Sequence, residues 1–199
     1  MPISADRSMN NLKIVQIGQP VLRSQAKPAK FSDPHIIELI DCLIDTAIAS
    51  KGVGIAAPQI NQPYRVFIIA SHPSDRYPHA PTMPPTAMIN PRILARGEKI
   101  EKDWEGCLSV PDTRGLVPRY RQIEVEYTTA SGEIKREILT GFIARIFQHE
   151  LDHLDGIVFT DRISDPGDLY TEAEYHQIIS AVQSKRQVFK KKVKGLQNI

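Results

Sequence analysis

The sequence lacks the features that mark secreted and membrane proteins. Only two of its 199 residues are cysteines, Cys42 and Cys107. Two cysteines are too few for a disulfide framework and are typical of a reducing compartment. No run approaches the roughly 18 apolar residues of a membrane span, and residues 1–10 have no apolar core of the kind found in signal peptides. We therefore expect a protein of the cytosol or of an organelle matrix that does not contact a membrane.

A strong charge of either sign is also missing. Lys and Arg number 25 against 23 Asp and Glu, so no global attraction to nucleic acid is expected. With 41% hydrophobic and 24% charged residues, the composition is that of a globular protein and excludes disorder throughout. The C-terminal region nevertheless has a basic cluster, which is typical of a solvated helix end. This cluster contains Lys185, Arg186, Lys190, Lys191, Lys192 and Lys194.

The first half of the chain predicts one helix and one strand. Ser-Asp-Pro at 32–34 favours a helix start, and apolar residues recur at helical spacing until near Gly52. Two glycines and a proline predict a loop at 52–60, before the strand VFIIA at 66–70. Residues 71–87 contain five prolines, so we predict an exposed excursion there.

The second half predicts a hairpin and two helices. Period-two alternation at 123–127 and 134–138, on either side of a turn, indicates an antiparallel hairpin. Apolar residues on more than one face predict a buried helix from Gly141 to Asp155. Thr171 and Glu174 have capping-box spacing and predict a last helix.

These elements indicate an α+β fold. We expect antiparallel and mixed sheets around a central buried helix that carries a His-Glu-x-x-His motif, followed by a C-terminal helix. We expect residues 1–170 to form a single catalytic domain and 171–199 a basic C-terminal helix and tail.

The motif His149-Glu150-Leu151-Asp152-His153 predicts a metal site. On a helix, residues four apart share one face, so His149 and His153 can present two imidazoles to one cation. Glu150 lies close enough to act on a water at that cation as a general base. Chance proximity on a polar helix face is the alternative, but burying these groups without partners would cost several kcal/mol.

A catalytic metal site usually needs a third protein ligand. The residues that could supply it include many carboxylates as well as His35, His72, His79, His176, Cys42 and Cys107. Cys42 lies in an amphipathic helix, where a thiol that fills the core is the simpler interpretation. Cys107 is the leading candidate, because it follows Gly106, where the backbone can approach a site closely.

Three segments together resemble the peptide deformylase family. GVGIAAPQ (52–59), EGCLS (105–109) and QHELDH (148–153) match the three signature motifs of that family in order and approximate spacing. The resemblance runs from about Ile14 to Ile163. It implies an enzyme of the bacterial cytoplasm that removes the formyl group from the initiator formylmethionine of newly made polypeptides.

The resemblance also implies roles for individual residues. Cys107, His149 and His153 match the metal ligands and Glu150 the catalytic glutamate. Gln59 and the backbone N–H of Leu108 match the donors that stabilise the developing oxyanion. Seven further residues match substrate-binding positions. Val53, Phe142 and Ile146 would wall the methionine pocket, with plain core packing as the alternative for these apolar residues. The Gly54 backbone would pair with the substrate backbone, Gly106 would also contact the substrate, and Glu105 with Arg114 would hold the rim.

The family uses one divalent cation, Fe²⁺, which Zn²⁺, Ni²⁺ or Co²⁺ can replace, and a Cys-His-His set would accept any of these. The partners implied are N-formylmethionyl nascent peptides and, through the basic C-terminal helix, the ribosome. We expect a monomer. Two alternatives remain: a zincin-type endopeptidase, whose third ligand usually lies downstream of the motif, and a non-catalytic module with a structural metal, which would need a fourth ligand.

Overall fold

The computed structural model describes residues 13–74 and 77–182. A helical stretch at 172–182 is the last element within these ranges. The elements that precede it are α1 (Pro34–Ala49), β1 (Gly54–Ala56), β2 (Val66–Ile69), β3 (Thr86–Arg96), β4 (Ile100–Cys107), β5 (Val110–Tyr120), β6 (Gln122–Thr128), β7 (Ile134–Thr140), α2 (Gly141–Leu154) and β8 (Leu169–Thr171).

The strands form two sheets. One has the order β1-β2-β3-β6-β7 and the other the order β4-β5-β8. Every pairing between these strands is antiparallel, so the prediction of a mixed sheet is wrong for the described residues. Most neighbouring strands also follow one another in the chain, whereas β3 pairs with β6 and β5 pairs with β8 across longer connections. The α+β class and the β6–β7 hairpin are confirmed.

Helix α1 begins and packs as its sequence predicts. The side chain of Asp33 accepts a hydrogen bond from the backbone N–H of His35 at 3.0 Å, and Pro34 occupies the first turn. Its apolar stripe faces the first sheet and is fully buried at Leu39 and Leu43. Cys42 is partly buried beside this stripe, and burial raises the pKa of its thiol.

Helix α2 lies between the two sheets and makes contacts with strands of both. Ala144, Phe147 and Leu154 are fully buried in an apolar cluster with the five-stranded sheet. The helix ends before Gly156, which has φ +74° and whose Cβ, if present, would lie 2.8 Å from the carbonyl carbon of Arg23. A side chain at that position would be strained and would also clash, so glycine is required there.

The segment between β2 and β3 differs from its prediction. Ser71 is 1% and Ala80 8% exposed, so the predicted exposed excursion is only partly exposed. The Ser71 hydroxyl donates to the carbonyl of Pro81 at 2.6 Å, and the N–H of Met83 donates to the carbonyl of Ser71 at 2.8 Å. Prolines prevent ladder hydrogen bonds but not packing, and these two bonds close the segment at its base.

A second difference is strand β1, which lies inside the predicted loop at 52–60 and pairs with β2.

At the other end of the described residues the predicted capping box is present. Thr171 N donates to the Glu174 carboxylate at 2.7 Å, and Glu174 N donates to the Thr171 hydroxyl at 3.2 Å. The basic cluster at 185–194 lies outside the described residues. No helix in the described ranges is both long and apolar enough to cross a membrane.

Candidate active site

Three predicted metal ligands from two elements lie together. Cys107 ends β4, while His149 and His153 lie one turn apart on α2. Their ligand atoms are all within 4.8 Å of one another, and Cys107 Sγ is 3.2 Å from His153 Nε2. Since β4 and α2 belong to different layers, it is the packing of the second sheet on α2 that brings the thiol to the imidazoles.

The residues around this cluster fit a divalent cation. One thiol and two imidazoles are donors that Fe²⁺, Zn²⁺, Ni²⁺ and Co²⁺ all accept. Two buried polar atoms beside the cluster, Glu150 Oε2 and His153 Nδ1, have no hydrogen-bond partner among the described residues. Buried polar atoms are normally satisfied, so an unpaired carboxylate oxygen beside three ligand atoms is consistent with a site that takes a metal and a water.

Burial and charge shift the pKa of the thiol and of one imidazole in opposite directions. Burial alone would raise the pKa of Cys107, but the adjacent imidazoles of His153 and His149 lower it well below the ordinary value. Burial alone would lower the pKa of His149, but its contacts with Cys107 and Glu105 raise it well above the ordinary value. A thiolate is the form of cysteine that binds metals.

Glu105 lies behind the cluster and orients His149. Its carboxylate is 2.8 Å from His149 Nδ1, which leaves the other ring nitrogen facing Cys107. Arg119 donates to both oxygens of Glu105, at 2.9 and 3.0 Å, and Arg145 donates to one of them at 2.8 Å. The hydrogen bond from His149 and the charge of Arg119 hold the Glu105 pKa well below its ordinary value despite burial.

Sequence reasoning assigned Glu105 to the pocket rim and gave no role to Arg119. In the structure both are buried, at 5% and 6% exposure. Arg119 also donates to Asp152 at 2.5 Å, and Arg162 donates to the same carboxylate at 2.6 Å. The two carboxylates and three arginines (Glu105, Asp152, Arg119, Arg145 and Arg162) form what we call the ionic network. No sequence pattern pairs these residues, because they come from β4, β5, α2 and the segment that follows α2.

Glu150 lies against β1 at a position that only glycine permits. A Cβ on Gly54 would lie 2.5 Å from Glu150 Oε1 and 2.8 Å from Ile146 Cγ2. Burial raises the pKa of Glu150 to about 7, although His149 and His153 oppose the shift. Gly54 therefore leaves room for a buried carboxylate next to the three candidate ligands.

Gln59 reaches the same cluster from the turn that follows β1. It is 2% exposed, and its carbonyl oxygen accepts from the N–H of Ala56 at 2.8 Å. That bond directs the amide nitrogen, which donates to Ser109 Oγ at 3.2 Å and lies 3.5 Å from Cys107 Sγ. Leu108 lies between Cys107 and Ser109 and lines the cavity next to the cluster.

A cavity of about 60 Å³ opens beside the three candidate ligands. Its lining includes most of the predicted substrate-binding residues: Val53, Gly54, Glu105, Gly106, Phe142 and Ile146. It also includes Arg145. The guanidinium of Arg145 donates to Glu105 at 2.8 Å and to the carbonyls of Val117 and Glu101 at 2.8 and 2.7 Å. Tyr77 and Trp104 line the cavity too, and sequence reasoning missed both.

Arg114, predicted at the rim, is 4% exposed and lies behind Gly106. A Cβ on Gly106 would lie 2.3 Å from Arg114 Nη1. Arg114 makes two hydrogen bonds to Glu172, at 2.5 and 2.9 Å, and its guanidinium lies 5.0 Å from the ring centre of Tyr175. Arg114 therefore supports the cavity wall from behind and joins it to the C-terminal helix.

Comparison with known proteins identifies the family. The family model for polypeptide deformylase matches residues 11–168. The chain belongs to the polypeptide deformylase family. It is 53% identical over 170 residues to peptide deformylase 2 of Nostoc sp., and this alignment covers 85% of this chain and 95% of the relative. It is also 44% identical over 155 residues to peptide deformylase 2 of Shewanella oneidensis, with 78% and 86% covered.

Solved deformylase structures have the same fold. The Met-Ala-Ser-bound class I type b peptide deformylase of Acinetobacter baumannii superposes with a TM-score of 0.74 at 42% identity, covering 76% of this chain and 98% of that one. The peptide deformylase of Thermotoga maritima gives a TM-score of 0.68 at 39% identity, with 77% and 98% covered. Deformylases depend on a metal. The zincin alternative is not favoured.

Proposed function

We propose that the protein removes the N-formyl group from the N-terminal formylmethionine of newly made polypeptides and releases formate. The observation that carries this proposal is the convergence of Cys107, His149 and His153, within 4.8 Å, beside the buried Glu150 in a chain of the deformylase family. The Acinetobacter baumannii relative was solved with Met-Ala-Ser bound, the peptide that remains when formyl-Met-Ala-Ser loses its formyl group. Formyl-Met-Ala-Ser is therefore the substrate of choice for a test.

We assign the metal to Cys107, His149 and His153, and propose Fe²⁺ as the native ion. When bound, the cation supplies Lewis acidity that makes a nucleophile available from water near neutral pH. Glu150 accepts the proton that this water loses and returns it to the amine as the formyl C–N bond breaks. The products are formate and a peptide with a free N-terminal amine.

Two donors are proposed to stabilise the charge that develops on the formyl oxygen. The Gln59 amide nitrogen lies next to the cluster, and the bond between its own carbonyl and Ala56 N keeps that nitrogen directed inward. The backbone N–H of Leu108 follows the Cys107 ligand directly. Loss of one such donor typically lowers the rate about 100- to 1,000-fold.

Strand β1 is proposed to hold the substrate backbone. It is the edge strand of the five-stranded sheet, so one of its sides is available to pair with an extended peptide. Gly54 lies in this strand and also lines the cavity. Val53, Phe142 and Ile146 are proposed to contact the methionine side chain, and Gly106 to bring backbone close from the opposite wall.

The proposal is tested by formate release from formyl-Met-Ala-Ser under anaerobic conditions, together with metal analysis of the same protein. Glu150→Gln is expected to lower the rate about 100- to 10,000-fold while the metal is retained. Asp155→Asn is the matched control, at an exposed position directly after the same helix, and should keep full activity. Full activity in Glu150→Gln would contradict the mechanism, and cleavage of an internal bond in an unformylated peptide would restore the endopeptidase alternative.

Several further proposals rest on the family and on the chain outside the described residues. We propose a monomer in the bacterial cytoplasm, with a catalytic domain at 1–170 and a basic tail at 171–199 that contacts the ribosome. Deletion of residues 184–199 should weaken ribosome binding and remove its salt dependence. Unchanged binding after that deletion would contradict the role of the tail.

A further inference from the structure

The backbone holds the proline-rich segment in place on both sides of its turn. At its base, Ser71 is bonded to Pro81 and to Met83, as described above. At its turn, Ser74 and Tyr77 exchange backbone hydrogen bonds, with Ser74 N donating to Tyr77 O at 3.2 Å and Tyr77 N donating to Ser74 O at 3.0 Å. These bonds therefore restrain the backbone of Tyr77, from which its side chain extends.

The Tyr77 side chain spans two walls of the cavity. Its ring packs against the ring of Phe142 on α2, with centroids 5.0 Å apart and planes inclined by 50°. Its hydroxyl lies near Arg114 of β5 and contributes to the raised pKa of that guanidinium. Arg114 is itself held by both oxygens of Glu172. The Tyr77 ring therefore packs on one wall of the cavity and lies beside a buried guanidinium of the other.

The chemistry of this wall suits a thioether. Tyr77, Phe142 and Trp104 all line the cavity, and aromatic rings make favourable contacts with the sulfur of methionine. The cavity is small, at about 60 Å³, so displacement of one ring would change which side chains fit.

We propose that Tyr77 is a specificity-determining residue, whose ring closes the subsite for the side chain of the N-formylated residue and limits the size of the side chain that enters. This inference rests on the proposed deformylase function. It gives a role to a segment whose sequence predicts only irregular structure. Tyr77 acts on substrate fit and leaves the metal ligands and Glu150 untouched.

The test compares kcat and KM for formyl-Met-Ala-Ser with those for formyl-Phe-Ala-Ser, using metal-loaded protein whose metal content is measured. Tyr77→Ala is expected to raise KM for the methionine peptide about tenfold with kcat little changed, and to lower the Met-to-Phe ratio of kcat/KM by about tenfold or more. Tyr77→Phe keeps the ring and should keep the ratio within about threefold of that of the unmodified protein. His79→Ala, at an exposed position in the same segment, is the matched control and should change neither value.

Each outcome decides a different point. If the unmodified protein releases no formate from either peptide, the proposed function fails. If it is active and Tyr77→Ala leaves the Met-to-Phe ratio unchanged, the inference about Tyr77 is overturned. A shift in Tyr77→Phe as large as that in Tyr77→Ala would also overturn it, because the Arg114 contact rather than the ring would then set the selectivity. Should Tyr77→Ala fail to fold, Tyr77→Leu gives the same comparison with a smaller loss of packing.

Discussion

Helix α2 is held on its two sides by different forces. On the side of the five-stranded sheet, Ala144, Phe147 and Leu154 lie in an apolar cluster, and the rings of Phe147 and Phe67 meet edge to face at 5.2 Å. On the side of the three-stranded sheet, Arg145 and Asp152 belong to the ionic network that orients His149.

The difference separates position from orientation. Apolar burial stabilises in proportion to the area removed from water and has no preferred direction, so the apolar side holds the helix against the sheet. Hydrogen bonds between charged groups require particular distances and angles, so the ionic network fixes how the His149 ring is turned. Amino-acid substitutions on the two sides of α2 and changes of pH test this division.

The largest effect is expected for Glu105→Gln. The change leaves Arg119 and Arg145 facing a neutral amide in a buried site and weakens the bond to His149. Breaking a buried ion pair typically costs about 3–5 kcal/mol, and altering the partner of a metal-binding histidine typically lowers metal affinity about 10- to 100-fold. Urea unfolding of the metal-free protein and competition titration with Co²⁺ measure the two quantities. Unchanged metal affinity would mean that the ionic network does not orient His149.

Phe147→Ala should lower the stability of the protein without lowering its metal affinity. Removal of a fully buried aromatic side chain typically costs about 3–5 kcal/mol of stability, a loss comparable to that in Glu105→Gln. The metal affinity of the folded fraction should nevertheless stay close to that of the unmodified protein, because no member of the ionic network is altered. The same unfolding and titration experiments apply. A loss of affinity as large as that in Glu105→Gln would contradict the division between position and orientation.

The stability contributed by the two sides of α2 should be lost at opposite extremes of pH. The Glu105 pKa is lowered in the folded protein, so its stabilising contribution is present above the unfolded value of about 4.3 and is lost as the pH falls below it. Tyr127, in the apolar cluster, has a pKa raised by burial and by Glu137, so its contribution is present below about pH 10 and is lost as the pH rises.

Urea midpoints of the metal-free protein, measured from acid to alkaline pH, test these signs. Glu105→Gln should reduce the pH dependence of the urea midpoint only on the acid side, and Tyr127→Phe should reduce it only on the alkaline side. A variant that reduced this dependence on the opposite side would show that the assigned group is not the one that titrates.

The smallest effect is expected for Asp155→Asn. Asp155 directly follows α2 and pairs with Arg65 at 2.7 Å, but its side chain is 39% exposed. Exposed ion pairs contribute at most about 1 kcal/mol, so the urea midpoint should move little and metal affinity should not change. A loss as large as that in Glu105→Gln would show that burial is not what makes the ionic network strong.

Much of the fold was predictable because its signals are local. The 3.6-residue period placed α1 and α2, the Asp33 and Thr171 caps marked two helix starts, and alternation predicted the β6–β7 hairpin. The candidate metal site was half predictable for the same reason, since His149 and His153 are four residues apart. The residues alone made Cys107 the leading candidate for the third ligand, and the family resemblance then separated it from the other candidates.

The errors arose where partners are distant in sequence. Glu105 and His149 are 44 residues apart, and Arg119 and Asp152 are 33 apart, so periodicity contains no trace of either pair. The proline-rich segment was judged by what proline prevents, the ladder hydrogen bond, and not by the side chain that its turn carries. Tyr77 was missed for that reason.

The local sequence was enough to predict a buried helix with two imidazoles on one face and a carboxylate beside them. With 3.6 residues per turn, residues four apart lie on the same face of a helix. The packing of distant segments was needed to bring the thiol at the end of β4 to these groups, to place Glu105 between two arginines, and to place Tyr77 in the lining of the cavity. These contacts depend on how the two sheets pack on α2. That packing results from burying the apolar residues of many segments together, so no single segment encodes it.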